Sequence, residues 1–130
     1  RLLHLTGDQK FDEKAALLAR SALPAVSAHP QGFTMFLCAL DYALGPTYEV
    51  ALAGSPGEKG LEEMLAAVRG RFLPNKAVVL VSGGEIVKFA PFTKDLVPVK
   101  GKAAAYVCVD HVCQLPVTSA AELIDLLEKN

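Results

Sequence analysis

Residues 49–84 read "EVALAGSPGEKGLEEMLAAVRGRFLPNKAVVLVSGG" and decide the fold, because they combine the patterns of two strands and one helix. Two apolar runs that end in glycine, 49–54 and 76–84, have the length and composition of buried strands. Between them, apolar residues recur on one helical face; they are Leu61, Met64, Leu65, Val68 and Phe72. A strand, a helix and a strand of these lengths predict a parallel pair joined by a right-handed crossover.

The sequence from residue 103 onward predicts a hairpin and a last helix. "AAAYVCVDHVCQLPV", residues 103–117, contains two strand-like runs on either side of Asp110 and His111. Ser119 and Glu122 then have capping-box spacing ahead of an apolar helical stripe. The order strand, helix, strand, hairpin, helix is that of a thioredoxin-like core. We therefore predict an α/β fold with a four-stranded mixed sheet in the order 2-1-3-4, its third strand antiparallel to its first.

The sequence before residue 47 predicts the end of one helix, followed by two further helices. In "LLHLTGDQKFDEKAALLARSALPAV", residues 2–26, Gly7 is suited to end one helix and Asp8 to begin the next. Apolar residues at helical spacing predict one buried stripe, formed by Phe11, Ala15, Leu18, Ala22 and Val26. Pro24 is expected to kink or end this helix.

The second helix, "FTMFLCALDYAL" at residues 33–44, is apolar nearly all round, with Asp41 as its one charge. A helix with this pattern is normally covered on most of its surface. We expect Cys38 to be a small buried residue without chemistry, and Asp41 to lie at the rim. The predicted organisation is a helical hairpin at 1–46, followed by a thioredoxin-like α/β segment at 47–130 that lacks the CxxC motif.

Composition and charge exclude several classes of partner. The apolar share of 52% exceeds the usual share of about 45–50% and favours a surface that a partner covers. Thirteen Lys and Arg balance fourteen Asp and Glu without a basic run, so we expect no nucleic-acid partner. Apolar runs such as 77–81 are far shorter than the roughly 20 residues that cross a bilayer.

The number of cysteines bears on the cellular compartment. Three cysteines are too few for a disulfide framework and favour the reducing cytoplasm.

Three stretches carry a family resemblance: "ALDYALGPTYEVALAG" at 39–54, "RFLPNKAVVLV" at 71–81 and "GKAAAYVCVDHVCQLPVTSAAEL" at 101–123. Together they resemble the C-terminal portion of thioredoxin-domain proteins related to spermatogenesis-associated protein 20. The resemblance implies an N-terminal thioredoxin-like domain and a six-hairpin helical barrel, similar to sugar epimerases and glycosidases, outside this chain. Because the sequence starts at Arg1 without methionine, we expect the natural N-terminus to lie elsewhere.

The cysteines of the predicted hairpin allow three interpretations. If Asp110 and His111 form a two-residue turn, Cys108 faces Cys113 closely enough for a disulfide, which makes a redox-responsive pair possible. Strand alternation places Tyr106, Cys108, Cys113 and Leu115 on one face, which we expect to turn toward the core, and this favours inert buried thiols. Zinc would need Cys108, His111 and Cys113 with His4 or His29, and this spacing is not typical of a zinc site.

The segment "GSPGEKGLEE" at residues 54–63 is a candidate anion site, because it connects a strand to a helix N-terminus. The candidate residues are Ser55, Gly57 and Lys59. The segment is neither a dinucleotide-binding motif nor a P-loop, and such turns are ordinary connections.

The sequence thus predicts a non-catalytic segment, without cofactor or metal, that completes and covers the barrel of a larger protein. Its expected partner is the remainder of the parent chain, and the isolated chain is expected to self-associate through the helix at 33–44. The alternatives are a redox-responsive module that uses Cys108 and Cys113, and a part of a carbohydrate-processing enzyme.

Overall fold

A computed structural model describes residues 1–109 and 112–128 and shows three helices followed by an α/β unit. The helices are α1 (Leu2–Thr6), α2 (Gln9–Ala28), α3 (Thr34–Leu44), α4 (Lys59–Arg69) and α5 (Ala120–Glu128). The strands are β1 (Tyr48–Ala53), β2 (Lys76–Val81), β3 (Ala104–Val109) and β4 (Val112–Cys113). The helical part ends at Leu44 and the first strand begins at Tyr48, while the proposed division into two domains stays a prediction.

The strands form one mixed sheet in the order β2-β1-β3-β4, which confirms the predicted topology. β1 runs parallel to β2 and antiparallel to β3, with Val50 opposite Val78 on one side and Val107 on the other. All six residues of β1 are buried, because the strand has neighbours on both sides and cover on both faces.

The core lies on the face of the sheet against which α4 and α5 pack. Its buried residues are Tyr48, Val50, Leu52, Leu61, Met64, Val68, Ala103, Ala105, Val107, Leu123 and Leu127. The predicted helical face is therefore correct for Leu61, Met64 and Val68. It is wrong for Phe72, which is 92% exposed because α4 ends at Arg69.

The start of α5 has the predicted capping interactions. Ser119 Oγ accepts a hydrogen bond from the Glu122 amide at 3.3 Å and donates one to Glu122 Oε2 at 2.9 Å. The Thr118 amide donates to the same carboxylate oxygen. These hydrogen bonds, that from Ser119 Oγ first, lower the pKa of the Glu122 carboxyl group.

The corner between α1 and α2 forms as predicted. Gly7 has φ 70° and its amide donates to Leu3 O, while the Asp8 carboxylate accepts from the Lys10 amide at 3.0 Å. Pro24 lies inside α2 and does not end it.

The predicted burial of the α2 stripe is wrong for Ala15 and Leu18, which are exposed, whereas Val26 is buried. The expected burial of Cys38 in α3 is also wrong, since this cysteine is free and exposed. The physical reason is the same in both helices: within residues 1–109 and 112–128, no element packs against the side of α2 that carries Ala15 and Leu18, or against the side of α3 that carries Cys38. None of the helices described is both long and apolar enough to cross a bilayer.

Candidate functional site

A cavity of about 400 Å³ lies against the sheet face opposite the core, beside α1 and the turn at Pro91–Thr93. We call it the sheet-face cavity. Its walls include His4, Thr6, Glu49, Phe92, Cys108 and Cys113. It therefore brings together the predicted cysteine pair, His4, which the sequence suggested only as a possible zinc ligand, and Glu49, which the sequence did not single out.

Glu49 is the central polar residue of this cavity. It lies in β1 directly opposite Cys108 of β3, so both side chains leave the sheet on the same face. The residue is only 4% exposed, and its Oε1 atom lies 2.6 Å from Nδ1 of His4. Thr47 Oγ1 donates to the same oxygen at 3.4 Å. The second carboxylate oxygen, Oε2, is buried without a hydrogen-bond partner.

Tyr42 extends this polar cluster beneath α1. Its ring meets the His4 ring edge-on at 5.3 Å, and the Arg1 guanidinium lies 5.2 Å from the centre of the tyrosine ring. Burial, followed by the negative charge of Glu49, raises the pKa of the Tyr42 hydroxyl. The hydroxyl therefore stays protonated and remains a hydrogen-bond donor at neutral pH.

The two hairpin cysteines face each other in the predicted register and form a disulfide, with their Cα atoms 3.9 Å apart. Cys108 is buried and Cys113 is exposed on the edge strand. Two inert core thiols are therefore not what the structure shows. The redox role stays a prediction, and the proposed turn residues Asp110 and His111 lie outside the described residues.

The expectation that this face of the hairpin turns toward the core is wrong. Ala105 and Val107 of β3 point to the core, so Tyr106 and Cys108 point to the opposite face. Leu115 is 86% exposed. The alternation was predicted correctly, but the face that receives α4 and α5 was not.

The predicted anion site is a loop that already holds a carboxylate. Glu58 Oε1 accepts from the Ala103 amide at 2.7 Å, and Glu58 Oε2 accepts from the Ser55 amide at 3.3 Å. Gly57 adopts φ 82°, and the exposed Lys59 ammonium lies 3.7 Å from Glu63. Anion binding by Ser55, Gly57 and Lys59 stays a prediction, and an incoming anion would meet the negative charge of Glu58.

Among residues 1–109 and 112–128, the metal candidates and Asp41 do not form a site. No group of three or more His, Cys, Asp or Glu side chains suited to a metal occurs in the part of the chain described. Both cysteines of the metal interpretation are in the disulfide, and His111 falls outside that part. Asp41 is exposed, and its carboxylate accepts a hydrogen bond from the side-chain amide of Asn75, Nδ2, at 2.9 Å.

The chain is similar to spermatogenesis-associated protein 20 from Rattus norvegicus, with 25% identity over 99% of this chain and 17% of that protein. It is also 25% identical to the Homo sapiens protein of the same name, over 98% of this chain and 16% of that protein. An uncharacterized protein from Caenorhabditis elegans is 28% identical over 99% of this chain and 18% of its own length.

These similarities confirm the resemblance to a portion of that family. The chain spans about one sixth of the length of the curated relatives it matches. No family model and no solved structure matches the chain.

Proposed function

We propose that this chain, a homologue of a portion of spermatogenesis-associated protein 20, is a non-catalytic segment that completes and covers the helical barrel of a larger protein. The observation that carries the proposal is the exposed apolar surface of α2 and α3. We define this helical surface by Leu17, Leu18, Leu23, Met35, Leu37 and Leu44, all of which are exposed.

The helical surface favours an occupant, because two neighbouring helices in the chain expose six large apolar side chains, and soluble monomers rarely expose much apolar surface in one region. Met35 is 82% exposed, and only Tyr42 of α3 is buried. The relatives that this chain matches are about six times longer, so the remainder of the parent chain is the proposed cover. The expected neighbours are its helical barrel and thioredoxin-like domain.

The carbohydrate-processing alternative concerns the activity of that larger protein. It rests on the family resemblance alone.

The test compares the isolated chain with the full-length protein. We expect the isolated chain to bind a hydrophobic dye and to self-associate, and the full-length protein to do neither through this surface. In hydrogen exchange, the amides of α3 should be protected more strongly in the full-length protein, because packing suppresses local opening.

A pair of matched substitutions separates this surface from the rest of the chain. Met35→Lys should reduce dye binding and self-association of the isolated chain and destabilise the full-length protein. Leu115→Lys, at an equally exposed position away from the helices, should leave the full-length protein unchanged. An isolated chain that is monomeric and binds no dye would contradict the proposal.

A second candidate function is a redox-responsive pair, and the disulfide between Cys108 and Cys113 favours it. Cys113 is exposed on a strand of two residues, so an external thiol has access to its sulfur. We propose the cytoplasm as the compartment, where disulfides are usually transient. A disulfide in the cytoplasm would be reduced and formed again as the redox state of the surrounding thiols changes.

Differential alkylation read by mass spectrometry tests this function across a series of glutathione redox buffers. We expect Cys108 and Cys113 to change together at an intermediate potential. Cys38 is an internal control, because it is free and exposed and should be alkylated in the reducing buffers without pairing to either cysteine. Cysteines that stay reduced and unreactive in every buffer would rule out a redox role.

A further inference from the structure

We propose that the outer edge of β2 binds a second copy of this chain, through antiparallel pairing of the two β2 strands around a two-fold axis at Val78. This interface lies apart from the helical surface and does not depend on the proposed covering role. Three features of the strand support it: outward-facing backbone groups without partners, an edge without protection, and a residue pattern that complements itself.

The backbone groups come first. In the described part of the chain, β2 pairs with β1 alone and therefore forms one edge of the sheet. The Tyr48 amide donates to Asn75 O, so in this parallel ladder the odd-numbered residues of β2 direct their backbone groups toward β1. The backbone groups of Lys76, Val78 and Leu80 therefore point outward, and no backbone hydrogen bond of a described loop reaches them. Such an edge is a template for another strand.

The edge also lacks the features by which most edge strands avoid pairing, such as prolines, bulges and charged side chains. β2 reads "KAVVLV", contains no proline, and keeps its register with β1 over all six residues. Its one charged side chain, Lys76, turns back toward the end of α4, since Nζ donates to Val68 O at 2.6 Å and to Arg71 O at 2.9 Å. The ammonium group therefore does not lie where it would repel a second strand.

Apolar side chains are exposed along the same edge. Val78 lies opposite the core residue Val50, so Val78 and Leu80 project from the core face of the sheet. Each is nevertheless 39% exposed, because the sheet ends at β2. Phe72 is 92% exposed and lines the same surface depression as Lys76, at the start of the strand. Pairing of two such edges would cover apolar surface that the single chain exposes, which favours association.

The residue pattern selects a second copy as the partner. With a two-fold axis at Val78, the outward-facing residues of one strand meet those of the other, so that Val78 faces Val78 and Lys76 faces Leu80. Each of these pairs exchanges two backbone hydrogen bonds, and no outward-facing group within the strand is left over. An axis at Lys76 would instead place two like charges opposite each other. Hydrogen bonding, apolar contact and charge therefore agree on one register.

Sedimentation equilibrium tests the pairing, in a Met35→Lys background that weakens association through the helical surface. We expect a monomer–dimer equilibrium in this background. Val78→Lys should weaken the dimer by about tenfold or more, because it places like charges directly opposite each other. Val112→Lys, at an exposed position of β4 on the other edge of the sheet, is the matched control and should leave the dimer unchanged. A Met35→Lys chain that is monomeric at every concentration would overturn the edge interface without affecting the covering role.

A pair of opposite charges tests the register. Because Val78 faces its own copy, Val78→Lys and Val78→Glu should each be monomeric alone, and their equimolar mixture should form a heterodimer. Circular dichroism checks that both variants fold. If mixing restores no dimer, or if Val78→Lys dimerises as strongly as the chain with valine, the two strands do not meet at Val78 and the proposal is wrong.

Hydrogen exchange tests the same interface without a substitution in β2. The outward amides of Val78 and Leu80 should become protected only as the chain dimerises with rising concentration, whereas the Val79 amide, which faces β1, should be protected throughout. Outward amides that exchange equally fast at every concentration contradict the pairing. Protection of these amides in a monomeric full-length protein would assign the edge to a strand of the parent chain and overturn the choice of a second copy.

Discussion

Replacing Leu123 with alanine is expected to lower the free energy of unfolding by about 2–5 kcal/mol. Leu123 is 0% exposed and lies in α5, which packs against α4 and β3. It belongs to the same core cluster as Met64 and Val107. These side chains belong to three different elements, so they cannot collapse together to fill the space that the truncation leaves. The loss therefore includes both burial of the side chain and the cavity left behind.

Chemical denaturation followed by circular dichroism measures this change. Leu115→Ala is the matched control, because it removes the same atoms from a side chain that is 86% exposed. We expect the control to stay within about 0.5 kcal/mol of the unaltered chain. If the two variants lost equal stability, the core would not lie between α5 and the sheet as described.

Replacing His4 with alanine is expected to cost about 1–3 kcal/mol, the usual range when a buried acceptor loses its hydrogen-bond donor. His4 supplies the 2.6 Å contact to Glu49 Oε1, and the other carboxylate oxygen has no partner. The substitution thus leaves a buried carboxylate with only the longer contact from Thr47. It also removes the ring contact between His4 and Tyr42, which links α1 to α3.

A double-mutant cycle with Glu49→Gln isolates the coupling between the two side chains. The double variant should lose less stability than the sum of the single variants, because a neutral amide does not need the imidazole as strongly. Lys59→Ala, which breaks an exposed pair with Glu63, is the surface control and should cost no more than about 1 kcal/mol. A His4→Ala variant as stable as Lys59→Ala would show that the buried pair contributes little.

The arrangement of the strands was predictable because it follows from local patterns. Strand alternation and the two-residue spacing between Val109 and Val112 set the register that pairs Cys108 with Cys113. The same alternation leaves two faces with similar apolar content, and only the packing of α4 and α5 decides which becomes the core. For that reason the sequence placed the cysteines on the wrong face.

The candidate site was only half visible in the sequence. Glu49 is a charged residue within the apolar strand "YEVALA", and such a residue in a central strand is a signal that could have been followed. Its partner His4 lies 45 residues away, and no local pattern joins the two. The sequence also could not show that Ala15, Leu18 and Cys38 are exposed. An apolar stripe on a helix shows which side needs to be covered, but it does not show which element covers it.

The position of Glu49 also has a consequence for how the chain reaches its native sheet. If β1 paired one residue out of register, every side chain of the strand would move to the other face. Val50 and Leu52 would leave the core, and the Glu49 carboxylate would enter it among leucines and valines without a hydrogen-bond donor. An isolated charge in such surroundings is far more costly than the native arrangement. One acidic residue in the central strand thus makes the misaligned sheet unstable and protects the fidelity of folding.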